Sequence, residues 1–110
     1  MPFERHHLAQ PPTRDQVDRL RGVAVLEFGT PWCGNCLRAQ PLIEQALAAR
    51  TGVQHIKIED GRGQPLGRSY GVKLWPTLVF LHNGEEVARA VRPADAKTVE
   101  QALAALPAQN

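Results

Sequence analysis

The two cysteines of this chain stand three positions apart, where residues 31–36 read Pro-Trp-Cys-Gly-Asn-Cys. A nearly continuous apolar run, residues 23–28, comes shortly before them. With two residues between the cysteines, Cys33 can begin a helix while Cys36 lies about one turn further on, so their sulfur atoms can bond reversibly. The spacing therefore predicts a redox-active dithiol where a strand turns into a helix.

Two other roles for the pair are an inert buried pair of thiols and half of a zinc site. A structural zinc ion usually takes four ligands, and the histidines at positions 6, 7, 55 and 82 do not show ligand spacing. We therefore expect no metal and no cofactor. The inert pair remains the alternative to redox chemistry.

Length and charge indicate one small globular domain over residues 1–110, with 43% hydrophobic residues and a net charge of +2. Lysine and arginine are scattered, so we expect neither nucleic acid nor a membrane as a partner. Residues 1–14 lack the apolar segment of a secretory signal, and no later segment is long enough to span a bilayer. We expect a cytoplasmic protein, in which a cysteine pair is kept reduced.

Apolar runs alternate with helical patterns along the chain, which predicts an α/β layer structure. Thr13 and Gln16 are spaced like a capping box at the start of a short helix. The apolar run 23–28 is typical of a strand buried on both faces, and it leads into a long helix, 33–50. Pro41 is expected to kink that helix.

The second half of the chain predicts a β-hairpin followed by a closing helix. Asn83-Gly84 is a strong signal for a two-residue turn between strands. The predicted elements after the long helix are a strand at 53–58, at most a short helix within 60–71, hairpin strands at 77–82 and 86–91, and a helix over 94–106.

The motif Trp32-Cys-Gly-Asn-Cys36, together with Pro41, Trp75-Pro76-Thr77 and Asn83-Gly84, resembles the thioredoxin family in order and spacing. The resemblance covers nearly the whole chain. It implies a central mixed β-sheet flanked by helices on both faces, in a thiol–disulfide oxidoreductase that reduces protein disulfides in cell redox homeostasis and electron transport. It also implies a monomer that acts on disulfide-containing proteins and is recycled by a thioredoxin reductase or the glutathione system.

The mechanism that we expect follows from sulfur chemistry, since the thiolate is the form that attacks a disulfide. Unpaired N–H groups and the positive end of the helix dipole favour the thiolate of Cys33. Cys33 would attack the substrate disulfide, and Cys36 would then attack Cys33 and release the reduced substrate. Cys33 is thus the expected nucleophile and Cys36 the resolving cysteine, with Gly34 and Asn35 in the loop between them.

Glu27 interrupts the apolar strand six positions before Cys33. The resemblance implies that it matches an aspartate behind the cysteines that accepts the proton of the resolving thiol. Burial is expected to raise the pKa of Glu27 toward the range useful for a general base. His55, which falls where the family often has a lysine, is the expected neighbour. Alternatively, Glu27 marks a strand end and faces solvent.

Pro76 is implied by the resemblance to follow a cis peptide bond and to face the cysteine pair. The backbone of the preceding residue would pair with an extended substrate segment. That residue is Trp75, which adds apolar surface where the family usually has isoleucine, threonine or valine. An ordinary proline that opens a strand is the alternative. Trp32 either presents its indole to partners or packs in the core.

Other departures from the family pattern lie near the predicted site. Asn35 replaces a proline, and its N–H is expected to add a hydrogen bond to the Cys33 thiolate and raise the reduction potential. Gly-Thr at 29–30 replaces an aromatic-containing approach, and Arg-Pro at 92–93 replaces a glycine. Three other functions therefore stay open: a disulfide isomerase or oxidant, a reductase dedicated to one partner, and a non-enzymatic binding module.

Overall fold

The computed structural model describes residues 3–8 and 10–107. Helices and strands follow one another in the predicted order, although the last helix is shorter than predicted. The elements are α1 (Arg14–Asp18), β1 (Val23–Gly29), α2 (Gly34–Ala48), β2 (Gln54–Glu59), α3 (Pro65–Ser69), β3 (Thr77–His82), β4 (Glu85–Val91) and α4 (Ala96–Leu103).

The four strands form one mixed sheet in the order β2-β1-β3-β4. β1 runs parallel to β2 and antiparallel to β3, and β4 is antiparallel to β3. Residues of α2 and α4 belong to the hydrophobic core on one face of the sheet, and residues from α1 and α3 belong to the core on the other. The predicted α/β class and the mixed sheet with helices on both faces are confirmed.

β1 is buried along its whole length, as its apolar sequence predicts. Side chains alternate between the two faces of a strand. Val25 packs in the core under α2 and α4, whereas Leu26 and Phe28 pack in the core under α1 and α3. By the same alternation, Glu27 faces α2, the helix that begins beside the cysteines.

Local signals at the helix start and the hairpin turn are confirmed. The side chain of Thr13 accepts a hydrogen bond from the N–H of Gln16, whose side chain accepts one from the N–H of Thr13. Asn83 and Gly84 both have positive φ, 50° and 82°, as a type I′ turn requires.

The long helix α2 continues through Pro41 to Ala48. Proline supplies no N–H to the helical ladder, and the kink expected there stays a prediction. No helix within the described part of the chain is long and apolar enough to cross a membrane.

Candidate active site

Cys33 occupies the N-cap of α2, directly after the loop that follows β1. Its φ and ψ are −77° and 120°, and its Sγ accepts a hydrogen bond from the N–H of Cys36 at 3.2 Å. The first N–H groups of a helix have no partner within the helix and attract negative charge. The sulfur of Cys33 is therefore placed where a thiolate is stabilised.

The donor to Cys33 differs from the sequence expectation, in which Asn35 supplied the hydrogen bond. The N–H that reaches Sγ belongs to Cys36. The side chain of Asn35 is engaged elsewhere, since its Oδ1 accepts a hydrogen bond from Nη1 of Arg38 at 2.8 Å. Asn35 and Gly34 form the first turn of α2 beside the cysteines.

Cys36 lies deeper than Cys33, and the two side chains are free thiols. Burial raises the pKa of Cys36 to about 12, with further contributions from its hydrogen bond to Cys33 and from the charges of Cys33 and Glu27. Cys36 is therefore a protonated thiol at neutral pH and needs a proton acceptor before it can attack. Among the described residues, no three His, Cys, Asp or Glu side chains are grouped to hold a metal ion.

Gly29, at the end of β1, packs directly against the sulfur of Cys36. A Cβ built at this position would lie 2.5 Å from Sγ of Cys36, which is well inside van der Waals contact. The sequence interpretation noted Gly29 only as a departure from the family pattern and assigned it no role in the site. The available signal was a glycine at the end of a fully buried strand, where close approach of another group is a common reason for glycine.

Glu27 is buried, with 1% of its surface exposed. Its Oε1 lies 2.8 Å from Nε2 of His55, and its Oε2 accepts a hydrogen bond from Nε2 of Gln40 at 2.7 Å. Nζ of Lys57 lies 4.0 Å from Oε2. The solvent-facing alternative for Glu27 is thus wrong, and His55 is its neighbour as expected.

The tautomer of His55 follows from its second contact. Nδ1 of His55 accepts a hydrogen bond from the backbone N–H of Glu4 at 2.6 Å. A ring nitrogen that accepts carries no proton, so the proton of the neutral ring is on Nε2, which donates to Glu27. His55 therefore presents a donor to the Glu27 carboxylate.

The direction of the Glu27 pKa shift corrects the sequence expectation. Burial by itself raises the pKa of Glu27, but the hydrogen bond from His55, the charge of Lys57 and the hydrogen bond from Gln40 outweigh it and hold the pKa below its usual value. The reason is that cationic and N–H donors surround the buried carboxylate. Glu27 is therefore ionised in the resting site, and its lowered pKa makes it a weaker base than an unperturbed carboxylate.

Gln40 connects the carboxylate to the helix of the cysteines. Its Nε2 donates to Oε2 of Glu27 and also to the backbone oxygen of Cys36, at 2.7 and 3.1 Å. Its Oε1 accepts a hydrogen bond from Nζ of Lys57 at 2.8 Å. Sequence reasoning missed Gln40, although a glutamine one turn after Cys36 is in reach of the same helix face.

Two tryptophans flank the outer side of the site. Trp32 is 73% exposed, so its core-packing alternative is wrong. Its ring meets that of Trp75 edge to face, with centroids 5.8 Å apart at 78°. Nε1 of Trp75 donates to Oδ2 of Asp60 at 2.9 Å, and the Trp75–Pro76 peptide bond is cis.

Comparison with known proteins gives consistent matches. The family model described as Thioredoxin matches residues 7–105. The solved structure of thioredoxin 2 from Pseudomonas aeruginosa PAO1 in its reduced form is 50% identical, with a TM-score of 0.83, covering 92% of this chain and 94% of that chain. Thioredoxin of Bacillus subtilis is 36% identical over 72 residues, which cover 64% of this chain and 68% of the relative.

Some curated relatives are matched over only part of their length. Thioredoxin-1 of Caenorhabditis elegans is 29% identical over 65 residues, which cover 59% of this chain and 56% of the relative. Thioredoxin H2-1 of Oryza sativa is matched over 58% of its length. The chain thus spans a little over half of these two relatives.

Proposed function

Because the chain belongs to the thioredoxin family, we propose that it is a thiol–disulfide oxidoreductase that reduces disulfides in other proteins through Cys33 and Cys36. The observation that carries the proposal is the unequal placement of the two thiols. Cys33 caps α2 and accepts the N–H of Cys36, while the more deeply buried Cys36 has a pKa raised to about 12. One thiol is suited to attack, and the other stays protonated until it is needed.

In the first step, the Cys33 thiolate attacks one sulfur of the substrate disulfide. A bond forms between Cys33 and that sulfur, the substrate S–S bond breaks, and the departing thiolate takes up a proton. In the second step, Cys36 loses its proton and attacks Sγ of Cys33, so the Cys33–Cys36 disulfide forms and the second substrate thiolate leaves. The substrate gains two electrons and two protons, and the chain is oxidised by two electrons.

Glu27 is the proposed acceptor of the Cys36 proton. It is the buried carboxylate whose charge contributes to the raised pKa of Cys36, and Gln40 joins it to the backbone of Cys36. Formation of the mixed disulfide removes the Cys33 thiolate, which had opposed ionisation of Cys36. The Cys36 proton is then proposed to pass to Glu27, against the stabilisation that His55 and Lys57 give the ionised carboxylate.

On the outer side, Trp32, Trp75 and Pro76 are proposed to contact the substrate. The exposed indole of Trp32 offers apolar surface with a polar tip, a combination that suits protein interfaces. The backbone beside Pro76 is proposed to pair with an extended substrate segment, as in strand addition. These contacts would bring a substrate disulfide to Cys33 before the chemical step.

The reducing direction requires an electron source and a compartment that keeps thiols reduced. We propose a cytoplasmic location and recycling by a thioredoxin reductase or the glutathione system, which makes the chain a carrier in electron transport. A partner-specific reductase is the second candidate, favoured by Trp75, whose indole edge meets Trp32 and enlarges the aromatic surface beside Cys33.

A glutathione-buffered redox titration read through tryptophan fluorescence tests the proposal, with Cys33→Ser as the control that has no transition. We expect a midpoint near the thioredoxin value of about −270 mV. A midpoint between about −180 and −120 mV would instead support an isomerase or oxidant. If the protein shows no reversible redox transition, a non-enzymatic binding module explains the chain better than an oxidoreductase.

A trapping experiment identifies the roles of the two thiols. Cys36→Ser should accumulate a mixed disulfide between Cys33 and a substrate protein, because no resolving thiol remains. Cys33→Ser should neither trap substrate nor reduce it. Equal trapping by the two variants would contradict the assignment of Cys33 as the nucleophile.

A further inference from the structure

A groove of about 440 Å³ opens beside the dithiol. One side belongs to α2 and the other to Pro76 and the loop that follows β4. The groove residues that matter most are Asn35, Arg38, Leu42, Pro76, Arg92 and Pro93. Asn35 lies between the two cysteines in the sequence, so the groove reaches the first turn of α2, the helix that Cys33 caps.

The groove has two positive charges and no balancing carboxylate. Among the described residues, neither Arg38 nor Arg92 has a carboxylate oxygen within 4.0 Å. The acidic side chain nearest along the chain, Asp95, caps α4 and accepts hydrogen bonds from the N–H and Oγ1 of Thr98. Both guanidinium groups are on exposed residues, so an anion can reach them without displacing an ion pair.

Arg92 is held in a backbone conformation that side chains rarely adopt. Its φ is 47°, in the left-handed region where glycine is the unstrained residue. Its backbone N–H donates to the oxygen of Pro76 at 2.9 Å, and its Nε donates to the oxygen of Trp75 at 2.8 Å. A strained non-glycine residue beside a reactive site is a reason to look for a function.

These contacts leave the ends of the arginine side chains available. Within the described chain, Arg92 uses only Nε and Arg38 only Nη1 in hydrogen bonds. Each guanidinium therefore keeps N–H donors that fit the two oxygens of a carboxylate. Leu42 and Pro93, which also line the groove, offer apolar contact to a bound peptide.

We propose that this groove binds an acidic segment of the substrate protein, next to the disulfide that Cys33 attacks, with Arg38 and Arg92 as specificity-determining residues. The inference rests on the reductase function proposed above and adds a substrate class to it. Positive side chains beside a reactive thiolate raise the local concentration of acidic substrates and speed encounter.

The test uses three disulfide-bonded peptides that differ only in two residues beside one cysteine: glutamate, glutamine or lysine. Second-order rate constants for their reduction by the full dithiol chain are measured by stopped-flow tryptophan fluorescence. We expect the glutamate peptide to react about tenfold faster than the lysine peptide at low ionic strength. The difference should shrink toward none near 1 M salt, because salt screens exposed charges.

The variants assign this preference to the groove. Arg38→Gln with Arg92→Gln should abolish it, and Arg92→Glu should reverse it toward the lysine peptide. Arg21→Gln removes the same charge beside the start of β1, at the end of that strand away from the cysteines, and should keep the wild-type preference. This control separates the groove from the overall positive charge of the chain.

Each result distinguishes this inference from the function on which it rests. If wild-type protein reduces none of the peptides, the reductase function itself fails. If it reduces all three at equal rates, or if Arg92→Glu slows all three alike, the acidic-segment proposal is overturned while the reductase function stands. If Arg38→Gln with Arg92→Gln leaves the peptide preference intact, the acidic-segment proposal is also overturned.

Discussion

The two sides of the cysteine pair are built differently. The inner cluster consists of the buried Glu27, His55 and Lys57 with the half-buried Gln40, and each of these polar side chains has a hydrogen-bond partner. The outer rim consists of Trp32, Trp75, Arg38 and Arg92, which keep apolar surface or N–H donors turned to solvent. The inner cluster is therefore suited to its proposed part in proton transfer from Cys36, whereas the outer rim is suited to its proposed contact with a partner.

The largest expected difference between the two sides is in thiol reactivity. With a pKa of about 12, only about one Cys36 in ten thousand is a thiolate at pH 8, four units lower. Iodoacetamide should therefore alkylate Cys33 faster than Cys36, by about a hundredfold or more, because the thiolate is the reactive form. Mass spectrometry of the reduced protein, sampled over time, measures both rates.

The stability of the protein at alkaline pH gives a second test of the raised pKa of Cys36. A raised pKa in the folded state means that the folded chain retains a proton that the unfolded chain releases above about pH 8.5. The contribution of Cys36 to stability is thus present below that pH and is lost as pH rises toward 12. Cys36→Ala should flatten this decline, and equal alkylation of both thiols at pH 8 would contradict the unequal placement.

Breaking the inner cluster should have the next largest effect. In Glu27→Gln, an NH₂ group replaces one of the two carboxylate oxygens, which now accept hydrogen bonds from His55 and Gln40. The new NH₂ group would face one of these donors, so two donors would be opposed. We expect a loss of about 1–3 kcal/mol in the free energy of unfolding. We also expect release of substrate from the Cys33 mixed disulfide to slow by about a hundredfold or more, the range for a lost general base. Urea unfolding and single-turnover kinetics measure the two effects.

The pH dependence of Glu27→Gln provides a second readout. Because the pKa of folded Glu27 is lowered, its stabilisation is present above its unfolded pKa of about 4.5 and is lost as pH falls through the folded value. Wild-type protein should therefore lose stability more steeply in acid than the variant does. Glu44→Gln is the matched control, since Glu44 pairs with Arg5 on the surface, where an ion pair contributes about 0–1 kcal/mol.

Much of the fold could be predicted from the sequence because its signals are local. The apolar run of β1, the Thr13 capping box and the Asn83-Gly84 turn each depend on a few neighbouring residues, and each is where it was predicted. The burial of Glu27 and its contact with His55 were also in reach, since the resemblance aligned both with known positions.

The rest of the site depends on contacts between distant segments, which a single sequence does not specify. The lowered pKa of Glu27 arises from His55, Lys57 and Gln40 together, and pattern reasoning supplied only the burial that would raise it. Gly29 matters because α2 brings the sulfur of Cys36 against β1. The groove of Arg38 and Arg92 forms where a helix and a loop meet.

The contact between β1 and the inner sulfur predicts a smaller effect at Gly29. In Gly29→Ala the new Cβ would lie 2.5 Å from Sγ of Cys36, so strand or helix must shift. Such overpacking typically costs about 1–3 kcal/mol. Gly34→Ala is the matched control: a Cβ there has open space, and the change should be neutral or stabilising by up to ~1 kcal/mol. Urea unfolding of the reduced variants compares them, and equal losses would contradict the close packing.

The smallest expected effect is at Asn35, where the inner and outer sides of the site meet. Since the N–H of Cys36 rather than that of Asn35 reaches Sγ of Cys33, Asn35→Pro removes no hydrogen bond from the thiolate. Proline is tolerated in the first turn of a helix. The midpoint of the redox titration should therefore move by less than about 15 mV, or ~0.7 kcal/mol for a two-electron couple.

Asn35→Ala is the control, because it keeps the N–H and loses only the contact with Arg38. If proline lowered the midpoint by about 30 mV and alanine did not, the Asn35 N–H would be stabilising the Cys33 thiolate after all.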